Sequence, residues 1–270
     1  MTMTALQHPL SARSVVTAPA QTHITVRGLV KTFDDAVVYN NFDLDIPKGR
    51  IMSVFGPNGC GKSTLINMIA GLVPINGGQI LFDGKERKDT TIGYVFQNYR
   101  EALFPWMRTV DNIGYPLVLK GWRPKQVADR VEELAASFGI GFDLNLYPYE
   151  LSGGQQQTAS IMRALAPRPE VVLLDEPFSA LDYEMTLSIR EKLQQVFIDT
   201  KTTMVLVSHD LEEAVYLADQ ILLLTKRPTR IAEIVDFTAP RPRTLDTLSE
   251  SAFVETKRRS LEIFQREVRR

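Results

Sequence analysis

The sequence predicts a doubly wound α/β core that carries an antiparallel β layer and a helical insertion. Three observations support this. Continuous apolar runs at 51–55, 171–175, 203–208 and 221–224 recur along the 270 residues, and runs of this kind suit parallel strands covered on both faces. Helix-patterned stretches separate the later runs, the alternation expected of a wound α/β fold. A cluster of short strands early in the chain, and a helix-rich stretch over 110–147, interrupt that alternation.

Taken in order, a first strand is expected over 24–30, a turn at Asp34-Asp35, and a second strand near Val37-Val38-Tyr39. Residues 42–46, Phe-Asp-Leu-Asp-Ile, alternate with the two-residue period of a half-buried strand. Pro47-Lys48-Gly49 then turns the chain into the apolar run Ile51-Met52-Ser53-Val54-Phe55. Asn76-Gly77-Gly78 reads as a tight turn, 79–82 as a strand and Asp83-Gly84 as a hairpin turn. Residues 92–96 form a further buried candidate. Pro124 is placed to open a helix that runs through Phe138, with Gly139 to stop it. Beyond Pro240 the signals thin out until a charged helix over 250–270. No repeat of the length that marks a solenoid is present.

Composition removes several classes. A net charge of −1 leaves no basic excess to meet a nucleic-acid backbone. No apolar run approaches the ~20 residues of a membrane-spanning helix. Residues 1–22 contain Ser, Thr, Pro and Gln but no apolar block, so they read as a flexible extension and not a secretory signal. The single cysteine excludes an internal disulfide and fits a reducing cytoplasm.

The most informative stretch is Gly56-Pro57-Asn58-Gly59-Cys60-Gly61-Lys62-Ser63-Thr64, which fits G-x-x-x-x-G-K-[ST] between a strand-like and a helix-like run. Glycines at 56, 59 and 61 let several backbone N–H groups face one anion, and the helix opening at Lys62 adds its positive end. The pattern implies nucleoside triphosphate binding, with Lys62 on the β/γ-phosphates and Ser63 on Mg²⁺. Asp175-Glu176 ends an apolar strand at the edge where ligands bind in open α/β folds. Asp175 is the expected Mg²⁺-side carboxylate, and Glu176 the base for the attacking water. Leu151-Ser152-Gly153-Gly154-Gln155 supplies a second anion site at a helix start. Two such sites in one chain make sense if the second serves the nucleotide of a partner subunit. Cys60 has two readings: a thiol of lowered pKa beside Lys62, alkylated to inactivation unless MgATP protects it, or a small space-filler.

With these residues in view, the chain resembles the nucleotide-binding subunit of an ABC transporter from about His23 to Pro240. The resemblance implies a P-loop NTPase (RecA-like) core, with an antiparallel β subdomain and an inserted α-helical subdomain at about 99–152. It also implies an extension over 1–22, a nucleotide-binding domain over 23–240 and a short helical tail over 241–270. Residues 56–64 look like the Walker A loop, 171–176 like Walker B with its catalytic glutamate Glu176, and 151–155 like the signature. Phe33 is similar to the aromatic that stacks on adenine. Gln97 is similar to the Q-loop glutamine that touches Mg²⁺ and the attacking water. Ser179-Ala180-Leu181-Asp182 resembles the D-loop, and His209 the switch histidine on the γ-phosphate. The family commonly has an arginine three residues after the signature, where this chain has Thr158.

The resemblance carries further expectations. ATP and Mg²⁺ are the cofactors. The partners are a second ATP-binding subunit, identical or not, transmembrane permease subunits and, indirectly, a periplasmic solute-binding protein, with no nucleic acid. The location is peripheral, on the cytoplasmic face of a bacterial inner membrane. Residues 98–106, with Leu103-Phe104-Pro105-Trp106 as exposed-looking apolar bulk, would face the permease or, for any single residue, pack within the helical subdomain. Their wording, like that of Lys226-Arg227-Pro228-Thr229-Arg230-Ile231, is similar to the nitrate/sulfonate/taurine branch, which imports small anions including bicarbonate. The alternative is a soluble ABC ATPase acting on ribosomes or DNA. One cassette, no sustained heptads and no basic block count against it.

Overall fold

The computed structural model describes residues 21–34, 36–179 and 181–269. Residues 1–20 of the expected 1–22 extension, Asp35 of the first turn, Ala180 and Arg270 lie outside them, whereas Thr22 opens the first strand. The elements run β1 (Thr22–Phe33), β2 (Ala36–Pro47), β3 (Ile51–Phe55), α1 (Lys62–Ala70), β4 (Gly77–Phe82), β5 (Ile92–Val95), α2 (Tyr99–Ala102), α3 (Thr109–Leu119) and α4 (Pro124–Ser137). There follow α5 (Gly153–Leu165), β6 (Val171–Asp175), α6 (Tyr183–Thr200), β7 (Thr203–Val207), α7 (Leu211–Leu217), β8 (Gln220–Leu224), β9 (Ile231–Asp236) and α8 (Ser251–Arg269).

Two sheets result. β2-β1-β4 is an antiparallel layer, and β5-β6-β7-β3-β8-β9 is parallel except for β9, which pairs antiparallel to β8 at the edge. The continuous apolar runs have a direct cause, because alternate residues enter two different cores. Val171 and Leu173 face the core shared with β1, β2 and α1, as do Val205, Val207, Leu222 and Leu224. Val172 and Leu174 face the helical side, together with Met204, Leu206, Ile221 and Leu223. A strand buried on both faces cannot carry the polar alternation of a surface strand.

Several local expectations change. The strands foreseen near 37–39 and 42–46 are one strand, β2, which continues through Asn41 at φ +53° with irregular pairing to β1. Asn tolerates that left-handed geometry, so the polar pair Asn40-Asn41 is an irregularity within the strand and not its end. Gly77 and Gly78 open β4 and do not form the turn. Gly78 has φ +83°, and a Cβ there would lie 2.4 Å from the carbonyl oxygen of Arg27. β9 was not foreseen. The Asp83-Gly84 turn matches expectation, with both residues at positive φ and Phe82 and Lys85 exchanging 2.8 Å hydrogen bonds. Pro124 opens α4, and Phe138 caps its end.

α8 packs onto the parallel sheet. Phe264 meets Phe55 edge-on at 5.0 Å, and Phe253 meets Phe237 at 5.8 Å. Ahead of it, Arg243 is wholly buried and closes the end of α7. Its guanidinium donates to the carbonyls of Val215 (3.2 Å), Tyr216 (2.9 Å) and Ala218 (2.7 Å). It also donates to those of Phe237 (3.1 Å) and Ala239 (3.2 Å). The last carbonyls of a helix lack intrahelical partners, and here one side chain serves them. Arg243→Met should orphan these oxygens at a cost of about 3 kcal/mol. Thermal unfolding should then fall by roughly 6–12 °C, and an unchanged midpoint would contradict the capping role.

Candidate functional site

Four neighbouring strands release their chains at one edge of the parallel sheet. β3 leads into residues 56–61, β5 into Gln97, β6 into Glu176 and β7 into His209. The loop turns through Gly59 (φ +73°) and Gly61 (φ +112°), and Gly61 is the N-cap of α1. Asn58 and Gly59 are exposed at its tip, and Thr64 lies in the first turn of the helix. Lys62 folds back so that its Nζ donates to the carbonyls of Gly56 (2.9 Å) and Pro57 (3.1 Å). Its ammonium therefore lies against the loop backbone.

Ser63 Oγ donates to Asp175 Oδ1 at 2.9 Å, which joins the helix start to the end of β6. Next along, Glu176 has φ +45°, a left-handed conformation that a side-chain-bearing residue rarely adopts and that clusters at functional sites. Its N–H is held by the carbonyl of Val207 at 3.0 Å. Its Oε2 accepts Gln97 Nε2 at 3.1 Å and lies 3.1 Å from His209 Nδ1. Two residues distant in sequence from Glu176, and from each other, thus converge on one of its carboxylate oxygens.

Burial pushes the Asp175 carboxyl up from the ordinary carboxylate range. The Ser63 hydroxyl, the Lys62 charge and the Tyr94 phenol pull it down, while the Glu176 charge adds to the rise. Ser63 and Asp175 offer hard oxygens, the donor type that Mg²⁺ takes. Their 2.9 Å separation fits adjacent ligands of an octahedron with metal–oxygen distances of about 2.1 Å. The residues present therefore fit such an ion.

Cys60 requires a correction. Its side chain is 2% exposed, and a Cβ on Gly56 would lie 3.2 Å from its Sγ. Burial pushes the thiol up and outweighs the Lys62 charge and the backbone N–H groups. The lowered pKa is not found, and Cys60 fills space beneath the loop.

The second helix start lies elsewhere. Ser152 caps α5, accepting the N–H of Gln155 at 3.3 Å while its own N–H donates to Gln155 Oε1 at 2.9 Å. Gly153 and Gly154 make room for neighbours. A Cβ on Gly153 would lie 2.5 Å from the Tyr99 hydroxyl, and one on Gly154 2.6 Å from Met185 Cγ. Asp182 caps α6 by accepting the Met185 N–H at 2.8 Å, so Asp182 and 152–155 form one neighbourhood. Among the described residues no hydrogen bond joins it to residues 56–64. Phe33 also stands apart, 43% exposed with Lys31 Nζ 4.4 Å from its ring centre. Thr158 is buried and returns its hydroxyl to the Gly154 carbonyl at 2.8 Å.

Supporting residues gave no sequence signal. Gln157 Nε2 donates to Pro177 O at 2.7 Å, tying α5 to the turn after Glu176. Ser208 Oγ donates to Glu213 Oε2 at 2.7 Å, and Arg190 holds Glu213 Oε1 at 2.9 Å, which fixes the turn that carries His209. Their partners are distant in sequence or unremarkable in type, so only the fold reveals them. In residues 98–106, Leu103 takes the local-packing alternative and fills the helical core. Trp106 is 73% exposed. Phe96, Phe104, Tyr115 and Arg163 line an adjoining groove of about 840 Å³.

A family model described as ABC transporter matches residues 39–179. An aliphatic sulfonates import ATP-binding protein of Bacillus cereus is 38% identical over 250 residues, 90% of this chain and 96% of that protein. A sulfate/thiosulfate import ATP-binding protein of Neisseria meningitidis is 40% identical over 210 residues, 74% of this chain and 58% of that one. Among solved structures, the dimeric post-hydrolysis state of an ATP-binding cassette bound to ADP and Pi matches with a TM-score of 0.71. It is 27% identical, and the match covers 80% of this chain and all of that one.

A carboxyl raised by burial favours the protein below its unfolded pKa and costs stability as pH climbs through the folded value. Asp175→Asn should therefore raise the nucleotide-free unfolding midpoint at pH 7 by roughly 2–4 °C. The gain should shrink as pH falls toward 4. An equal or lower midpoint at pH 7 would show that ionised Asp175 carries no such cost.

Proposed function

The chain belongs to the ABC transporter family as an importer-type ATP-binding subunit and ATPase, and from that premise we propose how its residues divide the work. ATP enters with its phosphates in the loop of 56–64, and Lys62 leaves the Gly56 and Pro57 carbonyls for the β/γ-phosphates. Adenine stacks on Phe33. Ser63 and Asp175, with Gln97 beside them, would hold Mg²⁺, which would supply charge neutralisation at the phosphate oxygens. Glu176 orients a water and takes its proton as the oxygen–phosphorus bond forms and the bond to the bridging oxygen breaks. Gln97 and His209 hold Glu176 before nucleotide arrives, and His209 then meets the γ-phosphate. Ser152, Gly153, Gly154, Gln155 and Asp182 face the nucleotide of a second copy.

The observation that carries this reading is the grip of Gln97 and His209 on Glu176 Oε2, both at 3.1 Å, beside the Ser63–Asp175 link. Positioning and charge stabilisation dominate phosphoryl transfer, and this edge holds a fixed carboxylate, a lysine and a metal-type oxygen pair together.

The power stroke in this proposal serves permease subunits that dock on the groove beside Trp106. The protein would then sit peripherally on the cytoplasmic face of the membrane, with a solute-binding protein on the other side. Among the described residues no helix is long and apolar enough to cross a membrane. The cargo we assign is a small oxyanion or sulfonate, by likeness to the sulfonate and sulfate/thiosulfate importer relatives. Those relatives also disfavour a ribosome- or DNA-acting protein.

Glu176→Gln should keep ATP binding and lower steady-state phosphate release by roughly 10²–10⁴. Normal turnover in that variant would remove Glu176 from the role of base.

A further inference from the structure

The hairpin Lys226-Arg227-Pro228-Thr229-Arg230 between β8 and β9 has no part in the chemistry above, yet it is bonded to the phosphate loop. Thr229 is buried, its N–H donates to Val38 O at 2.8 Å, and its Oγ1 donates to the carbonyl oxygen of Cys60. The next carbonyl of the loop, Gly61 O, accepts the Tyr39 hydroxyl at 3.0 Å and, as the first acceptor of α1, the Leu65 N–H at 2.8 Å. Tyr39 and Thr229 are themselves paired by an isolated β-bridge. The fit is close: a Cβ on Gly61 would lie 2.6 Å from Val38 Cγ1 and 3.2 Å from the Tyr39 oxygen. Burial pushes the Tyr39 phenol well above the ordinary range, so it remains a proton donor at any working pH.

Peptide geometry gives these two bonds a consequence. The carbonyl of one residue and the N–H of the next share a planar trans unit and point in opposite directions. Neither the 60–61 nor the 61–62 peptide is cis. A Cys60 oxygen held from behind therefore aims the Gly61 N–H forward, and a held Gly61 oxygen does the same for Lys62 N–H. Those are N–H groups of the cradle at the start of α1.

We propose that Tyr39 and Thr229 are positioning residues for nucleotide binding, their hydroxyls fixing two peptide planes of the loop so that the Gly61 and Lys62 N–H groups face the phosphates. This rests on the proposal that residues 56–64 hold the nucleotide. Carbon of the same size at 229 would fill the space without the bond to the Cys60 oxygen, and at 39 it would leave the Gly61 oxygen to the Leu65 N–H alone.

The test uses the full chain and calorimetric titration with ADP in the presence of Mg²⁺, with thermal unfolding in parallel. Thr229→Val and Tyr39→Phe should each raise the ADP Kd by roughly tenfold, the effect of one misaligned buried hydrogen bond. Thr229→Ser, which keeps the hydroxyl, should bind close to wild type. Unchanged Kd in both deletions would overturn the proposal. So would a Thr229→Ser variant as weak as Thr229→Val, because packing would then account for the loss. If Thr229→Val does not fold, Tyr39→Phe decides alone by the same criterion. Wild type that fails to bind ADP would sink the reading of residues 56–64 and this proposal with it. Wild-type binding matched by both deletions would sink only the positioning role.

Discussion

Parallel pairing sets the depth at which each strand of the large sheet lets go of its chain. Asp175 stands opposite Val207, and Val54 is level with Val207 from the other side. Glu176, Ser208 and the glycine loop therefore leave adjacent strands at nearly the same height. That register is why side chains far apart in sequence, such as Gln97, Glu176 and His209, meet within hydrogen-bond distance. A slip of one residue in β6 would turn Asp175 to the opposite face, and no rearrangement of loops could restore the Ser63 contact. The double-sided burial of β6, β7 and β8 protects that register, since either core would have to be opened to shift it.

The same edge also concentrates unfavourable terms. Asp175 is buried beside the Ser63 hydroxyl and the Tyr94 phenol, its carboxyl is still raised, and Glu176 adjoins it in a left-handed conformation costing of order 1–3 kcal/mol. Two buried arginines elsewhere have protein partners. Arg190 pairs with Glu213, and Arg243 donates to the carbonyls at the end of α7. A raised, buried carboxyl fits a site whose electrostatics are completed by what binds there.

Much of this was readable in the chain. Continuous apolar runs marked β3, β6, β7 and β8, because burial on both faces leaves that imprint locally. Pro124 and the turn at Asp83-Gly84 marked their elements for reasons of backbone geometry. What escaped reading depends on contacts across the fold. Gly77 and Gly78 looked like a turn, yet Gly78 is there for close approach to the backbone of Arg27. Cys60 looked activated by Lys62, yet Leu224, Gly56 and Tyr39 bury it. Leu103 gave no local sign that it would point inward while Trp106 points out. Gln157, Glu213, Tyr39 and Thr229 act through partners that no spacing rule connects to them.

The arrangement also divides what the motifs promised. Residues 56–64, Gln97, Asp175, Glu176 and His209 gather at one edge, whereas 152–155 gather with Asp182 at the start of α6. In the proposed account each chain holds two half-sites, and the nucleotide is enclosed only when a second copy presents its α5 start. Light scattering on the purified Glu176→Gln chain, with and without MgATP, tests this most directly. The account predicts the mass of one chain without nucleotide and of two chains with it. A single-chain mass at saturating, demonstrably bound MgATP would contradict it.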